Sequence, residues 1–384
     1  MKISERIRYV GVNDCVKELF ENQWPLPWGV SYNSYLVIGD KVALIDTAAA
    51  GFGDEFLDNI RMEIGERHID YLVVNHMEPD HSALMARIRQ AYPAIEILTS
   101  AKAVPMIAGY QGITDGIRVV REGETLDLGG ATLQFFMTPM VHWPETMMTF
   151  LQEEKTLFSG DAFGCFKAVG NAVNERFADF EDEMVRYYSN IVGKYGQTVQ
   201  AALKKLAGLT LERICPTHGP VWSGEEMRQV VALYNKLSRY EGIPGVCIAY
   251  GSMYGNTAQA AETLAAELEK RGIPHVMHNL TQEHVSFAYR DLFRYDTLVV
   301  GAPTYNNDIF PPVRDFMHGV GARLVKNRRF AAFGSYTWMG ASVKLLNEMA
   351  EACKFTLVSE GLSFPQGYSP EKCDMAGLAD KLAE

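Results

Sequence analysis

The run His76-Met77-Glu78-Pro79-Asp80-His81 places four potential metal ligands in one short loop. It follows residues 71–75, an apolar and β-branched segment that predicts a buried strand. Binding residues collect in loops at strand ends, and Pro79 fixes one backbone angle of this loop. Taken alone, the run is explained equally well as a polar turn in which Asp80 caps a helix over residues 82–90.

Three further ligand candidates lie in similar surroundings. His142, Asp161 and His218 each follow a short apolar segment and belong to a loop that contains Gly or Pro. His68 precedes a strand instead, and we interpret it as a surface residue. Together these observations predict a metal site. Its candidate ligands are His76, Glu78, Asp80, His81, His142, Asp161 and His218. Carboxylates mixed with imidazoles form a harder donor set than imidazoles alone, which favours iron over zinc.

A second group of candidate residues begins after a predicted strand over residues 246–250. Hydroxyl groups and free backbone N–H groups converge there at the start of a predicted helix, which suits a phosphate. The loop matches neither GxGxxG nor GxxxxGK[ST], so a terminal phosphomonoester fits better than a dinucleotide or a nucleoside triphosphate. Its residues are Ser252, Met253, Tyr254, Gly255, Asn256 and Thr257.

Two more loops of this half follow predicted strands, where open α/β sheets bind their ligands. The first contributes Pro303, Thr304, Tyr305 and Asn306, and the second contributes Ser335, Tyr336, Thr337, Trp338 and Gly340. Tyr305 and Trp338 could line a planar ring, with exposed packing residues as the alternative interpretation. The three loops together resemble flavodoxin, and that resemblance implies FMN. The four histidines of this half lie outside the loops, and we interpret them as structural or surface residues.

The elements that must position these loops differ between the two halves. The pattern of residues 1–243 predicts short strands and hairpins, such as 34–38 with 42–46, together with one long helical tract over 179–206. The run 242–245 is a natural break, and residues 244–384 then alternate strands with helices. We therefore expect an α/β chain of two domains, with an αββα sandwich over 1–243 and a doubly wound parallel sheet over 244–384.

The metal-ligand pattern is similar to that of the metallo-β-lactamase superfamily, whose loop usually reads HxHxDH. Here Glu78 occupies the position of the second histidine. A lactamase-like domain that carries HxExDH and precedes a flavodoxin-like domain resembles the flavodiiron proteins. Three further runs support this resemblance, namely residues 30–35, 141–147 and 159–164.

This resemblance implies a set of ligands for each iron. His76, Glu78 and His142 would hold one iron, Asp80, His81 and His218 would hold the other, and Asp161 would bridge them. An oxo or hydroxo group would also bridge the irons when they are oxidised. The resemblance implies no catalytic side chain beyond these ligands and FMN. It further implies reduction of dioxygen to water, of nitric oxide to nitrous oxide, or of both.

The resemblance also implies partners. The electron donor would be external, such as a rubredoxin or a reduced deazaflavin cofactor, and the assembly would be a head-to-tail homodimer or a dimer of such dimers. The chain has a formal net charge of −11 and a pI of about 5.4, which disfavours nucleic acid and anionic membranes as partners. Its 6 cysteines form no CxxC pair, so we expect reduced thiols and a cytoplasmic location, without a transmembrane helix.

Two other functions remain compatible with the sequence. One is a metallo-β-lactamase-type zinc hydrolase joined to a flavodoxin domain, which the glutamate in the ligand loop disfavours. The other is an electron carrier whose metal site is structural, which the full set of candidate ligands disfavours. The sequence does not rank dioxygen against nitric oxide.

Overall fold

The computed structural model describes residues 1–170, 172–173 and 175–384, and its chain divides into two compact units. Unit 1 comprises Met1–Tyr187 and Gln197–Asn235, and unit 2 comprises Tyr188–Gly196 and Lys236–Glu384. The predicted boundary between residues 243 and 244 stays a prediction. Within the described residues, no helix is long and apolar enough to cross a membrane.

In its described residues, unit 1 contains sixteen strands and most of seven helices. The strands are β1 Ile7–Tyr9, β2 Val12–Asp14, β3 Leu19–Phe20, β4 Trp24–Pro25, β5 Val30–Tyr32, β6 Tyr35–Ile38, β7 Val42–Ile45, β8 Tyr71–Val74, β9 Glu96–Thr99, β10 Ile117–Val119, β11 Thr125–Asp127, β12 Thr132–Met137, β13 Met147–Leu151, β14 Thr156–Gly160, β15 Arg213–Pro216 and β16 Trp222–Ser223. The helices are α1 Gly53–Ile64, α2 Pro79–Ser82, α3 Met85–Ala91, α4 Ala103–Gln111, α5 Glu181–Tyr187, α6 Gly196–Leu206 and α7 Gly224–Ser238.

The strands of unit 1 form two six-stranded sheets, ordered β1-β6-β7-β8-β9-β10 and β11-β12-β13-β14-β15-β16. Every residue of β7, β8, β13 and β14 is buried, as expected for central strands covered on both faces. The inner faces pack on each other, since the rings of Tyr35 on β6 and Phe158 on β14 lie 5.4 Å apart between centroids. β14 and β15 run parallel, so their carboxyl ends meet at one edge of the sandwich.

The predicted hairpin is present, because β6 pairs with β7 in antiparallel register from Tyr35↔Ile45 to Ile38↔Val42. The predicted helical tract over residues 179–206 is present from Glu181 to Leu206, but its pitch changes along the way. α5 passes into a π-helical turn at Tyr188–Val192 and a 3-10 turn at Gly193–Tyr195 before α6 begins. A Cβ on Gly193 would lie 2.7 Å from the ring of Phe293, so this turn requires a residue without a side chain. The periodicity of the sequence does not reveal that contact.

Unit 2 is built around a parallel sheet with the order β18-β17-β19-β22-β23, and β24 also pairs with β22. Its strands are β17 Ile243–Tyr250, β18 His275–Asn279, β19 Tyr295–Gly301, β20 Thr304–Tyr305, β21 Asp308–Ile309, β22 Arg329–Tyr336, β23 Thr356–Leu357 and β24 Leu362–Pro365. Its helices are α8 Asn256–Lys270, α9 Val285–Arg294, α10 Pro311–Ala322, α11 Ser342–Ala352 and α12 Met375–Ala383.

The helices of unit 2 bury their apolar faces against this sheet. Ala260, Leu264 and Leu268 recur at helical spacing on α8 and pack with Ile248 of β17 and Val299 of β19. Because β17, β19 and β22 are adjacent and parallel, their carboxyl ends lie side by side. The loops that follow these three strands are therefore neighbours.

Candidate metal and flavin sites

The ligand loop of unit 1 is held by a buried carboxylate beneath it. Asp46 Oδ1 accepts hydrogen bonds from the backbone N–H groups of Asn75 at 2.7 Å and His76 at 3.4 Å. Burial raises the pKa of Asp46 to about 6, although these N–H groups and the nearby histidines oppose the rise. Asp46 has a positive φ of 56°, so the backbone is turned to aim this carboxylate at the loop. Pro79 then opens α2 as its first residue, where a missing N–H costs nothing.

Four side chains converge on one point, which we call the His76 position. They are His76, Glu78, His142 and Asp161, and all four are buried. Glu78 Oε2 lies 3.3 Å from His76 Nε2 and 3.1 Å from His142 Nε2, and Asp161 Oδ2 lies 3.0 Å from His142 Nε2. Spacings near 3 Å between ligand atoms suit a single small cation held among them.

A second convergence, the His218 position, lies on the other side of Asp161. It comprises Asp80, His81 and His218 together with Asp161 Oδ1. Asp161 Oδ1 is 2.9 Å from His81 Nε2, and the two Asp80 oxygens are each 3.3 Å from a histidine Nε2, one from His81 and the other from His218. One oxygen of Asp161 therefore faces each position, and its carboxylate lies where a bridging ligand would be needed.

The seven residues fit a pair of cations better than they fit a structural role. Both oxygens of Asp80, Nε2 of His81 and Nε2 of His218 are buried atoms without a hydrogen-bond partner among the described residues. Buried polar atoms normally have partners, because an unpaired one costs about 1–3 kcal/mol. Four such atoms pointing at one another indicate that a ligand belongs between them.

The electrostatics of the cluster lead to the same conclusion. Burial lowers the pKa of His81, but Asp80 and Asp161 outweigh it and raise that pKa to about 9. Burial likewise works against the charged form of His142, whose pKa rises to about 9 beside Asp161 and Glu78. Burial raises the pKa of Asp161, but His81 and His76 hold it well below its usual range. Protons on the histidines thus supply the positive charge that the carboxylates require in the absence of metal.

Two of the histidines have fixed ring orientations. His76 Nδ1 lies 2.8 Å from Glu145 Oε1, which also accepts a hydrogen bond of 2.9 Å from the backbone N–H of Met77. His218 Nδ1 lies 2.7 Å from the carbonyl oxygen of Ser31. Each contact leaves Nε2 free to face the cluster. The sequence reasoning assigned no role to Asp46 or Glu145, although both are buried acidic residues next to predicted strand ends.

A cavity of about 320 Å³ opens onto Glu78 and Asp80. Its other lining residues are Lys17, Phe20, Glu21, Ala49, Ala50, Pro79 and Ala83. Glu21 belongs to the turn between β3 and β4, where Trp24 Nε1 donates a hydrogen bond of 2.9 Å to its carboxylate. Burial and the neighbouring Glu78 raise the pKa of Glu21 to about 7. The ligand carboxylates are therefore reachable through a small and largely apolar space.

The three flavin loops of unit 2 surround a separate cavity of about 100 Å³. Ser252 Oγ accepts hydrogen bonds from the N–H groups of Gly255 at 3.1 Å and Ala258 at 3.3 Å. Thr257 Oγ1 lies 3.0 Å from Ser335 Oγ, which ties the first loop to the third. The N-cap residue Gly255 has no side chain to cap α8, so the first-turn N–H groups other than that of Ala258 suit a phosphate.

Most of the predicted flavin residues line this cavity. They are Ser252, Met253, Tyr254, Asn256, Thr257, Pro303, Thr304, Ser335, Tyr336 and Thr337. Gln366, which follows β24, also lines it and was missed, because no loop motif marks it. The remaining predicted residues, Gly255, Tyr305, Asn306, Trp338 and Gly340, lie outside the lining. Tyr254 is 90% exposed and Trp338 is 85% exposed, so both rings are available to cover a planar ligand.

Comparisons with known proteins agree with this architecture. The family described as ODP family beta lactamase matches residues 30–219, and the family Flavodoxin matches residues 248–377. An anaerobic nitric oxide reductase flavorubredoxin of Shigella dysenteriae is 32% identical, over 96% of this chain and 78% of that protein.

Solved structures extend the comparison to the whole chain. The rubredoxin oxygen:oxidoreductase of Desulfovibrio gigas has a TM-score of 0.95 at 30% identity, over 100% of this chain and 97% of that one. The flavodiiron protein of Giardia intestinalis has a TM-score of 0.92 at 25% identity, over 100% of this chain and 96% of that one. The predicted combination of a lactamase-like sandwich with a flavodoxin-like sheet is confirmed.

Proposed function

The chain belongs to the flavodiiron proteins, and from this premise we propose that it reduces dioxygen to water, nitric oxide to nitrous oxide, or both. It is an oxidoreductase whose cofactors are FMN and a pair of iron ions. The observation that carries the proposal is the position of Asp161, whose two oxygens each face one cluster of ligands. A carboxylate between two clusters is the arrangement that a bridged pair of irons needs.

The two clusters support the assignment of ligands that the family resemblance implies. His76, Glu78 and His142 would hold one iron, and Asp80, His81 and His218 would hold the other, with Asp161 between them. When bound, the iron pair supplies electrons to the gas and FMN restores them. Glu78, Asp80 and Asp161 balance the cationic charge, and Glu145 and the Ser31 carbonyl orient two of the imidazoles.

The cavity beside Glu78 and Asp80 suits a small neutral substrate. Phe20, Ala49 and Ala50 contribute apolar surface to the approach. Besides the ligands Glu78 and Asp80, the ionisable residues of this lining are Glu21 and Lys17, and Lys17 Nζ donates a hydrogen bond of 3.1 Å to Tyr32 Oη. Gas selectivity would then depend on the few side chains that line this space.

The cavity of unit 2 would bind FMN through its phosphate and its ring. Ser252, Thr257 and the first turn of α8 would hold the phosphate, and the loops after β19 and β22 would contact the isoalloxazine. Tyr254, Tyr305 and Trp338 would cover the ring, since each is exposed and belongs to one of the three loops.

The remaining features of the proposal concern partners and boundaries. The donor would be a rubredoxin-type protein or a reduced deazaflavin, and the chain would act in the cytoplasm as a head-to-tail homodimer or a dimer of dimers. The first domain would end at residue 243. Gas consumption that stays constant on dilution to verified monomers would contradict the dimeric form.

The experiment is a gas-consumption assay on protein loaded with iron and FMN and reduced by an artificial donor. Initial rates with dioxygen and with nitric oxide are compared at matched concentration in one electrode chamber. Loss of either gas supports the proposal, and the ratio of rates identifies the preferred gas. If neither gas is consumed while both cofactors are bound, the proposal is wrong and the zinc hydrolase becomes the better hypothesis.

A further inference from the structure

The two metal positions have matching ligands but different surroundings. Each has two imidazoles and one carboxylate of its own, and each shares Asp161 through one oxygen. Their own ligand charges are therefore equal. A difference between the two positions can therefore come from the groups that contact the ligands.

At the His76 position, the ring nitrogen that faces away from the metal contacts a carboxylate, that of Glu145. Glu145 is 2% exposed, and its Oε1 lies 2.8 Å from His76 Nδ1, so the carboxylate accepts the proton of that ring nitrogen. Glu145 Oε2 has no hydrogen-bond partner among the described residues, which leaves most of the charge directed at His76 and the Met77 N–H. A carboxylate in this place makes the imidazole a stronger electron donor through Nε2.

Behind the His218 position the hydrogen-bond partners of the imidazoles are neutral, and the buried carboxylate of Asp46 lies near His81 as well as near His76. His218 Nδ1 contacts the carbonyl oxygen of Ser31 at 2.7 Å, and His81 Nδ1 has no partner within the part of the chain that the structure describes. Thr217 Oγ1 also donates a hydrogen bond of 2.7 Å to Asp161 Oδ1, the oxygen that faces this position. That bond withdraws electron density from the shared carboxylate on one side alone.

We propose that Glu145 is a positioning residue that makes the two metal positions chemically unequal, so that the His76 position binds its cation more tightly and stabilises the higher oxidation state. The inference rests on the proposed metal site and goes beyond it, since it assigns different properties to the two irons. It predicts that metal enters in two steps and that the ferric ion of a half-reduced pair lies at the His76 position.

The first test uses zinc, so it is independent of gas reduction. Metal-free protein is titrated with Zn²⁺ against a competing chelator. The wild type should bind two ions in two steps, with the tighter step absent in H142A and the weaker one absent in H81A. E145Q should weaken the tighter step by about 10–100-fold and leave the weaker step unchanged. E124Q is the matched control, because Glu124 pairs with Arg118 on the surface of unit 1.

The second test follows the oxidation state. Iron-loaded protein is reduced with dithionite by one electron per iron pair, and the half-reduced state is measured by electron paramagnetic resonance. E145Q should lower the yield of this state, because the two irons become more alike. T217V should lower it as well, since it removes the hydrogen bond from Asp161 Oδ1.

Three outcomes would overturn the inference. They are a wild type that binds two equivalent zinc ions, an E145Q protein with both steps unchanged, and an E145Q protein in which both steps weaken equally. The last result would mean that Glu145 supports only the fold of the loop. A wild type that binds no pair of metal ions would instead contradict the proposed metal site itself, so the two failures are distinguishable.

Discussion

The metal cluster of unit 1 and the flavin cavity of unit 2 bind their ligands by opposite means. The cluster consists of ionisable side chains buried at the ends of central strands, and several of their atoms have no hydrogen-bond partner among the residues that the structure describes. The flavin cavity consists of hydroxyls, backbone N–H groups and exposed rings, and its hydroxyls already bond to backbone N–H groups or to one another. The first site thus has unpaired polar atoms where a ligand would bind, whereas the hydroxyls of the second are already paired.

This difference predicts that removing one side chain has a much larger effect in the cluster than in the cavity. The following changes test that contrast, in order of decreasing expected effect.

The largest effect is expected for D161N. Asp161 faces both metal positions, and an amide supplies neither the bridging charge nor equivalent oxygens. Iron content should fall below one ion per chain and gas consumption should fall by at least about 100-fold. Iron analysis and the electrode assay measure both quantities. D115N is the control, since Asp115 pairs with Arg89 at the surface. Full iron content in D161N would contradict the bridging role.

The pH should control metal binding but not flavin binding. In the metal-free chain the pKa of both His81 and His142 is about 9, so each must lose a proton before it can bind a metal. Below pH 9, metal affinity should therefore fall with falling pH, by up to about 100-fold per unit if both protons are displaced. Calorimetry in buffers of different ionisation enthalpy counts the protons released. Metal binding without proton release would contradict this prediction.

A moderate effect is expected for T257V in the flavin cavity. The change removes one hydroxyl beside the proposed phosphate site, and the loop should keep its shape because Ser252 still holds the turn. The dissociation constant of FMN should rise by about tenfold, as expected for one lost hydrogen bond, while riboflavin binding stays the same. T263V on the exposed face of α8 is the control. Equal losses for FMN and riboflavin would place the phosphate elsewhere.

The smallest effect is expected for H278Q, which tests a buried histidine that needs no metal. His278 contacts Glu283 and Asp291 through its two ring nitrogens, so its environment is complete. Burial opposes the charged form, but these carboxylates raise its pKa, and the charged ring should stabilise unit 2. That contribution is fully present below about pH 6.5 and is lost as the pH rises through the folded-state pKa.

The measurement for H278Q is urea unfolding as a function of pH. The variant should lose about 1.5 kcal/mol below pH 6.5, and the loss should shrink at higher pH. H275Q is the control, since His275 lies on the same strand and contacts one backbone carbonyl. Stabilisation of wild-type unit 2 by added Zn²⁺ would show that this histidine also takes part in metal binding.

The sequence predicted the site residues that a local pattern marks and missed those that only tertiary packing brings to the site. Ligands such as His76 and Asp161 can be found because charged residues at strand ends are costly to bury without a function. Glu145 was missed as a partner of His76, because their contact joins residues 69 positions apart and depends on how the two sheets pack. Gln366 was missed because it reaches the flavin cavity from β24, a strand that periodicity does not predict.

The change of pitch within the long helical tract has a consequence for how this protein can evolve. Residues 188–196 belong to unit 2 although unit 1 residues precede and follow them, so the flavin unit is not a continuous piece of the gene. Ser189 and Asn190 accept hydrogen bonds from Arg323, and Tyr188 packs against Phe293. Recombination that replaced the carboxyl-terminal module alone would leave this short segment behind. Across related genes, substitutions at 188–196 should therefore covary with those at 236–384 rather than with their immediate neighbours.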